Sequence, residues 1–516
     1  MNNKIAVLDF ETDPFEYGME PRPFAAGFYD GESYAEFWGD DVIEQLVEFL
    51  NSLEDTYTIY AHNGGKFDFI FLLQAGVIGN PLKVIHGRIA QARLGQHTLR
   101  DSYLILPVPL SAYKKDEIDY ANFTRDRREK FRADILHYLA TDCEYLFEFV
   151  TAFINQYGVK LTAPSAAYAN LKNIQPQKQT GFPFDEEFRP FYFGGRVEFF
   201  ERGILSGDFK VFDVNSMYPY VMREFEHPHG NVFVSGKKRL PDSGPYFAHI
   251  RARSNGALPV RTKDGLSFPA SNHPETFAAT GHEIEAGKRL GLLKDIEVLQ
   301  VHRWASSQTF SEFVDTHYQA RLEAKASGDK LKDLFSKLML NSSYGKFAMN
   351  PRNFHEYKIV WGHKHPGEGW ALYMDYDEFA IWRSPAPQDR FNNVAVAASI
   401  TGAARSVLMD GLANAQRTVY CDTDSIICEH LDCEQDATAL GAWKLEAQAD
   451  QAAIAGKKLY ALFSKGEAVK LASKGVRITP DEIKAVASGD TVLWKKESPA
   501  MGLKGVRFIE RNVKMR

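Results

Sequence analysis

The sequence predicts a multidomain chain of mixed α/β and α+β class, and three observations predict it. Over residues 1–150, runs of β-formers alternate with helical periodicities, the pattern of one α/β domain. Beyond residue 200 the order changes to several strands, a long helical run, then strands again, which is α+β. A chain of 516 residues also exceeds what a single hydrophobic core organises, so about three units follow from length.

The first 150 residues supply strands at Ile5–Phe10, Tyr57–Ala61 and Thr98–Leu106, with a short helix over Phe67–Leu73. Ile135, Tyr138, Leu139, Leu146 and Phe149 recur at helical spacing, which predicts a helix over Lys130–Phe149. Residues 151–200 carry Pro164, Pro176, Pro183 and Pro190 and read as a linker ending in Phe191-Tyr192-Phe193-Gly194-Gly195-Arg196. A strand follows at Phe209–Asp213. Residues 221–310, rich in Gly, Pro and His, suggest several short strands. Phe310–Asn341 reads as one long helical pattern, 350–393 as a hairpin insertion, and Asn393–Leu412 as a further helix. No internal repeat or low-complexity tract appears.

The composition, 44% hydrophobic and 25% charged, is that of a soluble globular protein. No apolar run is long enough to cross a bilayer and no N-terminal targeting signal is present, so the expected location is the cytoplasm. Cys143, Cys421, Cys428 and Cys433 lack paired metal-ligand spacing, so reduced thiols are expected. A net charge of -6 argues against a nucleic-acid partner, but the average conceals a gradient. Residues 457–516 hold fourteen Lys and Arg against six Asp and Glu, interleaved with Val492, Leu493, Trp494 and Phe508. Local positive surface is what phosphate binding requires.

The carboxylates carry the chemistry. In Val419–Ile426, Asp422 and Asp424 stand at i, i+2, and on a strand both project from one face. Such a pair is costly unless a cation neutralises it. Asp9 and Glu11 repeat the spacing on the first strand. Asp68 follows the second strand, and Asp142 lies one helical turn after Tyr138. Each acid alone is an ordinary surface residue, but four brought together suit two hard divalent cations that clamp a phosphodiester, with Tyr138 orienting the attacking water. Asp213 ends another strand, and Lys337, Asn341 and Tyr344 share a helix face suited to a nucleoside triphosphate.

Together these motifs match known patterns. Asp9-x-Glu11, Asn63-x-x-x-Phe67-Asp68 and Tyr138-x-x-x-Asp142 resemble the RNase H-like 3′–5′ exonuclease domain of proofreading DNA polymerases. The resemblance implies that Asp9, Glu11, Asp68 and Asp142 hold metal. It implies that Thr12, Asn63, Phe67 and Ser102 touch the frayed strand and that Lys115 assists the nuclease. Asp13 follows Thr12 where some relatives carry a second threonine. Asp213-Val214-Asn215-Ser216-Met217-Tyr218-Pro219, Lys337–Gly345 and Tyr420–Ser425 resemble the palm and fingers of family B DNA polymerases. By that resemblance Asp213 and Asp424 hold the metal pair with Asp422 close by, and the Val214 carbonyl completes a coordination site. Tyr218 would exclude a 2′-hydroxyl, Lys325 and Lys337 bind the triphosphate, and Asn341 and Tyr344 line the nascent pair. Arg405, Lys458 and Tyr460 would contact primer and template. Tyr192, Gly194 and Gly195 match the segment linking the two activities. The implied cofactor is Mg²⁺, two ions per site, with Mn²⁺ able to substitute.

The likeness extends to the protein-primed branch, the tectivirus-type phage polymerases in particular. The exonuclease motifs begin near residue 5, without room for the N-terminal domain of large cellular enzymes, and two extra segments interrupt the polymerase motifs. The implied organisation is exonuclease 1–155, linker 156–200, palm 201–222, insertion 223–310, fingers 311–349, second insertion 350–393, palm 394–456 and thumb 457–516. The implied activity is replication of a linear viral or plasmid genome by strand displacement, with template, primer, dNTPs and a terminal protein as partners and no membrane. A conventionally primed enzyme is the alternative. A metal-dependent glycosyltransferase shares Asp-x-Asp but not the Lys337–Gly345 helix or the remote Asp213, and a non-catalytic scaffold would not need complete motifs.

Overall fold

The computed structural model describes residues 4–114, 116–177, 184–235, 239–263, 265–386 and 393–515. The N-terminal sheet is built on Lys4–Thr12, which runs parallel to Tyr57–Ala61, itself parallel to His97–Asp101. Pro23–Tyr29 and Tyr34–Trp38 extend one side antiparallel, and Arg88–Leu94 and Gly79–Ile85 extend the other. Both faces are covered, so the first strand is almost continuously buried. Strand alternation sends Ala6, Leu8 and Phe10 into a core shared with helices Val42–Ser52 and Asp68–Gln74. Val7 enters the opposite core, with Tyr138 and Leu139 of helix Arg132–Tyr157. Asp9 and Glu11 have the parity of Val7 and therefore face that long helix.

The third strand ends at Asp101, earlier than the sequence suggested. The Asp101 carboxylate accepts a hydrogen bond from the Tyr103 backbone N–H and turns the chain into a 3-10 helix over Ser102–Leu104. The stretch read as a linker contains the helix Ala163–Ile174. Pro164 sits in its first turn, where a missing N–H costs nothing, and Thr162 caps it. Ala166, Ala167 and Leu171 pack in the core that holds Phe335 and Leu340.

A seven-stranded sheet forms the centre. Its order is Glu467–Ser473, Leu459–Ser464, Trp443–Gly456, Gly203–Val214, Ser425–Cys428, Tyr420–Asp422 and Val197–Phe199, every pairing antiparallel. The helix Val394–Ala413, rich in Ala, Gly and Ser, is buried almost throughout. The long helical pattern after Phe310 is two helices, Ser311–Ser327 and Lys330–Ser342. Gly328, at φ +74°, ends the first and the Asp329 side chain caps the second. Strands His227–Ser235, Tyr246–Ser254, Glu275–Thr280 and Leu293–Gln308 form a four-stranded antiparallel sheet with helix Gly281–Arg289.

The segment after residue 350 is not a free-standing hairpin. Its strands His355–Trp361, Ala371–Asp375 and Phe379–Pro385 join the N-terminal sheet, where Tyr357 pairs with Leu82. The Asn80 side chain accepts from the Ile359 N–H (2.9 Å) and donates to its carbonyl (2.8 Å), mimicking a strand. The result is one ten-stranded sheet. Helix Pro480–Ala487 and the hairpin Val492–Lys495/Glu510–Val513 close the described chain. Among the described residues, no helix is long and apolar enough to cross a membrane.

Candidate active sites

Two carboxylate sites emerge. In the first, strand Lys4–Thr12 brings Asp9 and Glu11 against Asp142 of the long helix, with one carboxylate oxygen of each within 4.8 Å of the others. Asp68 stands behind this trio. It is fully buried, one oxygen accepts from the Phe10 N–H (3.1 Å), and the other has no hydrogen-bond partner. Burial and the charge of Asp9 hold its carboxyl well above the usual range. Such a donor set, all oxygen and crowded, suits a hard divalent cation. Tyr138 is buried beside it, its hydroxyl 3.1 Å from that of Tyr120.

A cavity of about 480 Å³ opens on this site, lined by Asp9, His62, Asn63, Lys66, Arg88 and Tyr103, among others. Asn63 is half-buried at its edge. Phe67 packs edge-on against Phe15, ring centres 5.9 Å apart. Thr12 is nearly buried and donates to the Asp13 carbonyl, and Asp13 is held by Arg128 at 3.3 Å. Ser102 departs from the reading of it as a strand contact. It is completely buried, its hydroxyl 3.1 Å from the Ala61 carbonyl and 3.0 Å from His62 Nδ1. Ser102 therefore orients His62, and His62, which the sequence reading missed, reaches the cavity. Lys115 lies outside the described residues.

The second site corrects the geometry expected of Asp422 and Asp424. They do not share one strand face. Asp422 ends strand Tyr420–Asp422 and pairs with Ser425, so Thr423 and Asp424 form a two-residue hairpin turn, with Thr423 at φ +60°. The turn separates the acids. Both Asp422 oxygens accept from Lys458 Nζ at 2.5 Å. Asp424 instead lies beside Asp213, since the Val214 N–H donates to the Asp424 carbonyl (2.8 Å) and Asp213 pairs with Ser425. Burial first, then the charge of Asp424, pushes the Asp213 carboxyl up to about 7. Burial raises Asp424 to about 6. Two carboxylates so disfavoured as anions mark a place for a cation.

These two acids lie at a cavity of about 540 Å³ that also includes Val214, Tyr218, Lys325, Lys337 and Asn341. Arg321, one turn before Lys325, lines it too and is held by Asp333 at 2.8 Å. Glu446 adds to the acidic end, and Lys444, paired with Asp213 across the sheet, lines it as well. The sequence reading missed these three, although Arg321 carried the i, i+4 spacing to Lys325. Tyr344 stacks on Tyr218 at 4.2 Å and 14°. One wall is anionic and one cationic, the polarity that a metal-bound triphosphate needs.

Known proteins match the chain as a whole. A family model described as DNA polymerase type B, organellar and viral, matches residues 109–365. The DNA-directed DNA polymerase of Enterobacteria phage PRD1 is 44% identical, covering 99% of this chain and 98% of its own. The chain belongs to the organellar and viral type B DNA polymerases. The DNA polymerase of Bacillus phage phi29 is 26% identical over 89% of this polymerase and 86% of its own length. A crystal structure of that phi29 enzyme superposes with a TM-score of 0.76 at 20% identity, over 100% of both chains. The fold of this DNA-directed DNA polymerase is the multidomain fold of that structure.

The remaining predicted residues fall around the second site. Arg405 does not meet a strand directly, because its guanidinium is buried. It pairs with Glu283 at 2.7 Å and donates to the carbonyls of Phe193 (2.7 Å) and Gly194 (2.9 Å). It thereby fixes the Tyr192–Arg196 segment, whose Arg196 carbonyl accepts from the Thr423 N–H at 2.6 Å. Gly195 packs directly on the Thr423 side chain. Tyr460 is also buried and leans on Tyr420, with centroids 4.8 Å apart, and the Tyr420 hydroxyl accepts from the Lys458 N–H. Lys458 stays partly exposed beside the turn. All four cysteines are free thiols.

Proposed function

We propose that this polymerase replicates a linear viral or plasmid genome from a protein primer, displacing the non-template strand and proofreading with the N-terminal site. The observation that carries the catalytic assignment is the Asp213–Asp424 pair, raised by burial at one end of a cavity whose other wall carries Arg321, Lys325 and Lys337. Asp213, Asp424 and the Val214 carbonyl would hold two Mg²⁺ ions. When bound, these supply charge neutralisation at the attacking and leaving oxygens. The chain's own groups do the positioning. Lys325, Lys337 and Arg321 bind the triphosphate, and Asn341 with the stacked Tyr218 and Tyr344 shapes the pocket for the nascent pair. Tyr218 closes it against a 2′-hydroxyl. Lys458, neutralised by Asp422, lies where a primer phosphate can exchange for that carboxylate.

At the N-terminal site, Asp9, Glu11 and Asp142, with Asp68 behind them, would hold a metal pair. Tyr138 orients the attacking water, and Asn63 and Phe67 hold the strand end. The proposed units meet near 155, 200, 222, 310, 349, 393 and 456, but 155 and 222 fall inside the helices Arg132–Tyr157 and Met217–Glu224, and the strands Leu459–Ser464 and Glu467–Ser473 beyond 456 stay in the central sheet. The helix Ala163–Ile174 packs in the core that holds Phe335 and Leu340. Protein priming rests on the phage relatives and on the two insertions. Incubation with labelled dNTP, Mg²⁺ and a candidate terminal protein, without oligonucleotide, should yield a nucleotide–protein adduct. No adduct, with ordinary primer extension intact, would identify a conventionally primed enzyme. Asp9→Ala with Glu11→Ala should abolish 3′–5′ degradation and retain extension, and normal degradation in that variant removes the N-terminal site.

A further inference from the structure

We infer that Arg88 is a positioning residue of the 3′–5′ degradation site, and that through it Asn63 meets the single strand only as a hydrogen-bond donor. The inference rests on the exonuclease reading of the N-terminal site. Arg88 opens the strand Arg88–Leu94 and is 8% exposed. One guanidinium nitrogen, Nη2, donates to Asn63 Oδ1 at 2.9 Å, and Nη1 is bound to Asp101. Asp101 is buried and is itself fixed. Its Oδ2 accepts from the Gly65 N–H (3.2 Å) and its Oδ1 from the Tyr103 N–H (3.0 Å). The Arg88 guanidinium also lies over the Tyr103 ring, 4.7 Å from its centre.

A guanidinium has donors and no acceptor, so the Asn63 atom facing it is the carbonyl oxygen. What Asn63 retains for a ligand is its amide N–H pair. Asn63 itself is held in a left-handed conformation, φ +62°, at the start of the turn Gly64–Lys66. That turn is pinned from below, where a side chain at Gly65 would collide with the Ile89 carbonyl and with Arg88. Backbone and side chain of Asn63 are thus both set before DNA arrives, in a cavity that Asn63 and Arg88 share with Asp9 and Asp142. The group recognised on the strand is an acceptor, a phosphodiester oxygen or a sugar or base oxygen. A donor there would oppose the N–H pair.

The test uses the full chain, a 5′-labelled single-stranded oligonucleotide and Mg²⁺. Asn63→Asp keeps an oxygen for Arg88 and removes the donors. It should raise the KM for degradation at least tenfold with kcat within about threefold, whereas an unchanged KM overturns the donor assignment. Arg88→Gln should raise KM similarly, and adding Asn63→Ala to it should cost little more, because Arg88 acts through Asn63. Additive losses overturn the coupling. Arg88→Gln leaves Asp101 charged and buried, so Arg88→Gln/Asp101→Asn, a neutral pair, repeats the cycle if the single variant does not fold. A methylphosphonate at the second linkage from the 3′ end, one removed from the bond cleaved first, separates the acceptors. If it raises the wild-type KM and no longer does so in Asn63→Asp, the acceptor is a phosphate oxygen. An equal effect in both places it on sugar or base. Wild-type protein without degradation activity would instead overturn the exonuclease reading itself.

Discussion

Asp422 and Asp424, two residues apart and identical in chemistry, have different partners. Asp422 spends both oxygens on Lys458, while Asp424 shares its surroundings with Asp213. On the proposed assignment, Asp424→Asn removes an oxygen that would hold metal and should lower primer extension by at least about 10³-fold. Asp422→Asn frees the Lys458 ammonium rather than emptying the metal site. Extension should fall less, about 10- to 100-fold, and mainly as weaker primer binding. Steady-state extension of a primed template decides between them. Equal losses, both in kcat, would return Asp422 to the metal. The sequence made these acids visible but made them look alike, because their i, i+2 spacing suits a strand face. Only Thr423 at φ +60° breaks the alternation, and a Thr-Asp turn lacks the glycine or asparagine that announces a hairpin.

At the scale of elements, the hairpin Tyr420–Cys428 is held by the segment before it in the chain. Val197–Phe199 pairs with Tyr420–Asp422, the Arg196 carbonyl accepts from Thr423, and Arg405 grips Phe193 and Gly194. Gly195 lies so close that an added Cβ would stand 2.6 Å from Thr423 Oγ1 and 3.0 Å from its Cβ. Gly195→Ala should push the turn and its carboxylates out of place, at a strain of about 1–3 kcal/mol. Extension should fall at least about tenfold, and Gly195→Ala/Thr423→Gly should recover part of the loss. An Ala variant with full extension would show the segment and the turn to be uncoupled. The sequence displayed the Gly-Gly pair and the acidic turn, 228 positions apart at their centres of Gly195 and Thr423, without showing that they touch. Likewise the helical pattern after Phe310 was legible, but the break at Gly328 was not, since a lone glycine inside a periodic run does not by itself stop a helix.

Across the whole molecule, several contacts that unite the parts are made by residues outside the carboxylate motifs. Asn80 stitches the 355–385 strands onto the N-terminal sheet, Arg405 and Glu283 join the central helix to residues 281–289, and His227 and His282 meet at Ser399. Strands and helices were readable from periodicity, and both acidic sites from their motifs. These tertiary links were not, because a buried Arg or His looks on paper like any surface residue. His227 is wholly buried between the Ser399 hydroxyl (2.9 Å) and the Val221 carbonyl (2.9 Å), and His282 stands 3.1 Å from the same hydroxyl. Burial pushes His227 down to about 3 and His282 down to about 4, although Glu283 and Glu226 beside His282 oppose the shift and Arg405 offsets Glu283. Both histidines take up a proton in the unfolded chain at a pH where the folded chain refuses it. Their contribution to stability is complete above about pH 6.5 and is lost as the pH falls toward 4 and then 3, with a limiting slope of about 1.4 kcal/mol per pH unit for each. Amide protection across 227–235 and 394–408 should therefore weaken between pH 6.5 and 4.5 in the wild type and change less in His227→Asn/His282→Asn, which has no such protons to gain. The difference between the two proteins isolates the pair from the raised carboxylates of Asp213 and Asp424, which titrate in the opposite sense, and a difference that stays constant over that window would show that the two rings do not tie the stability of this junction to pH.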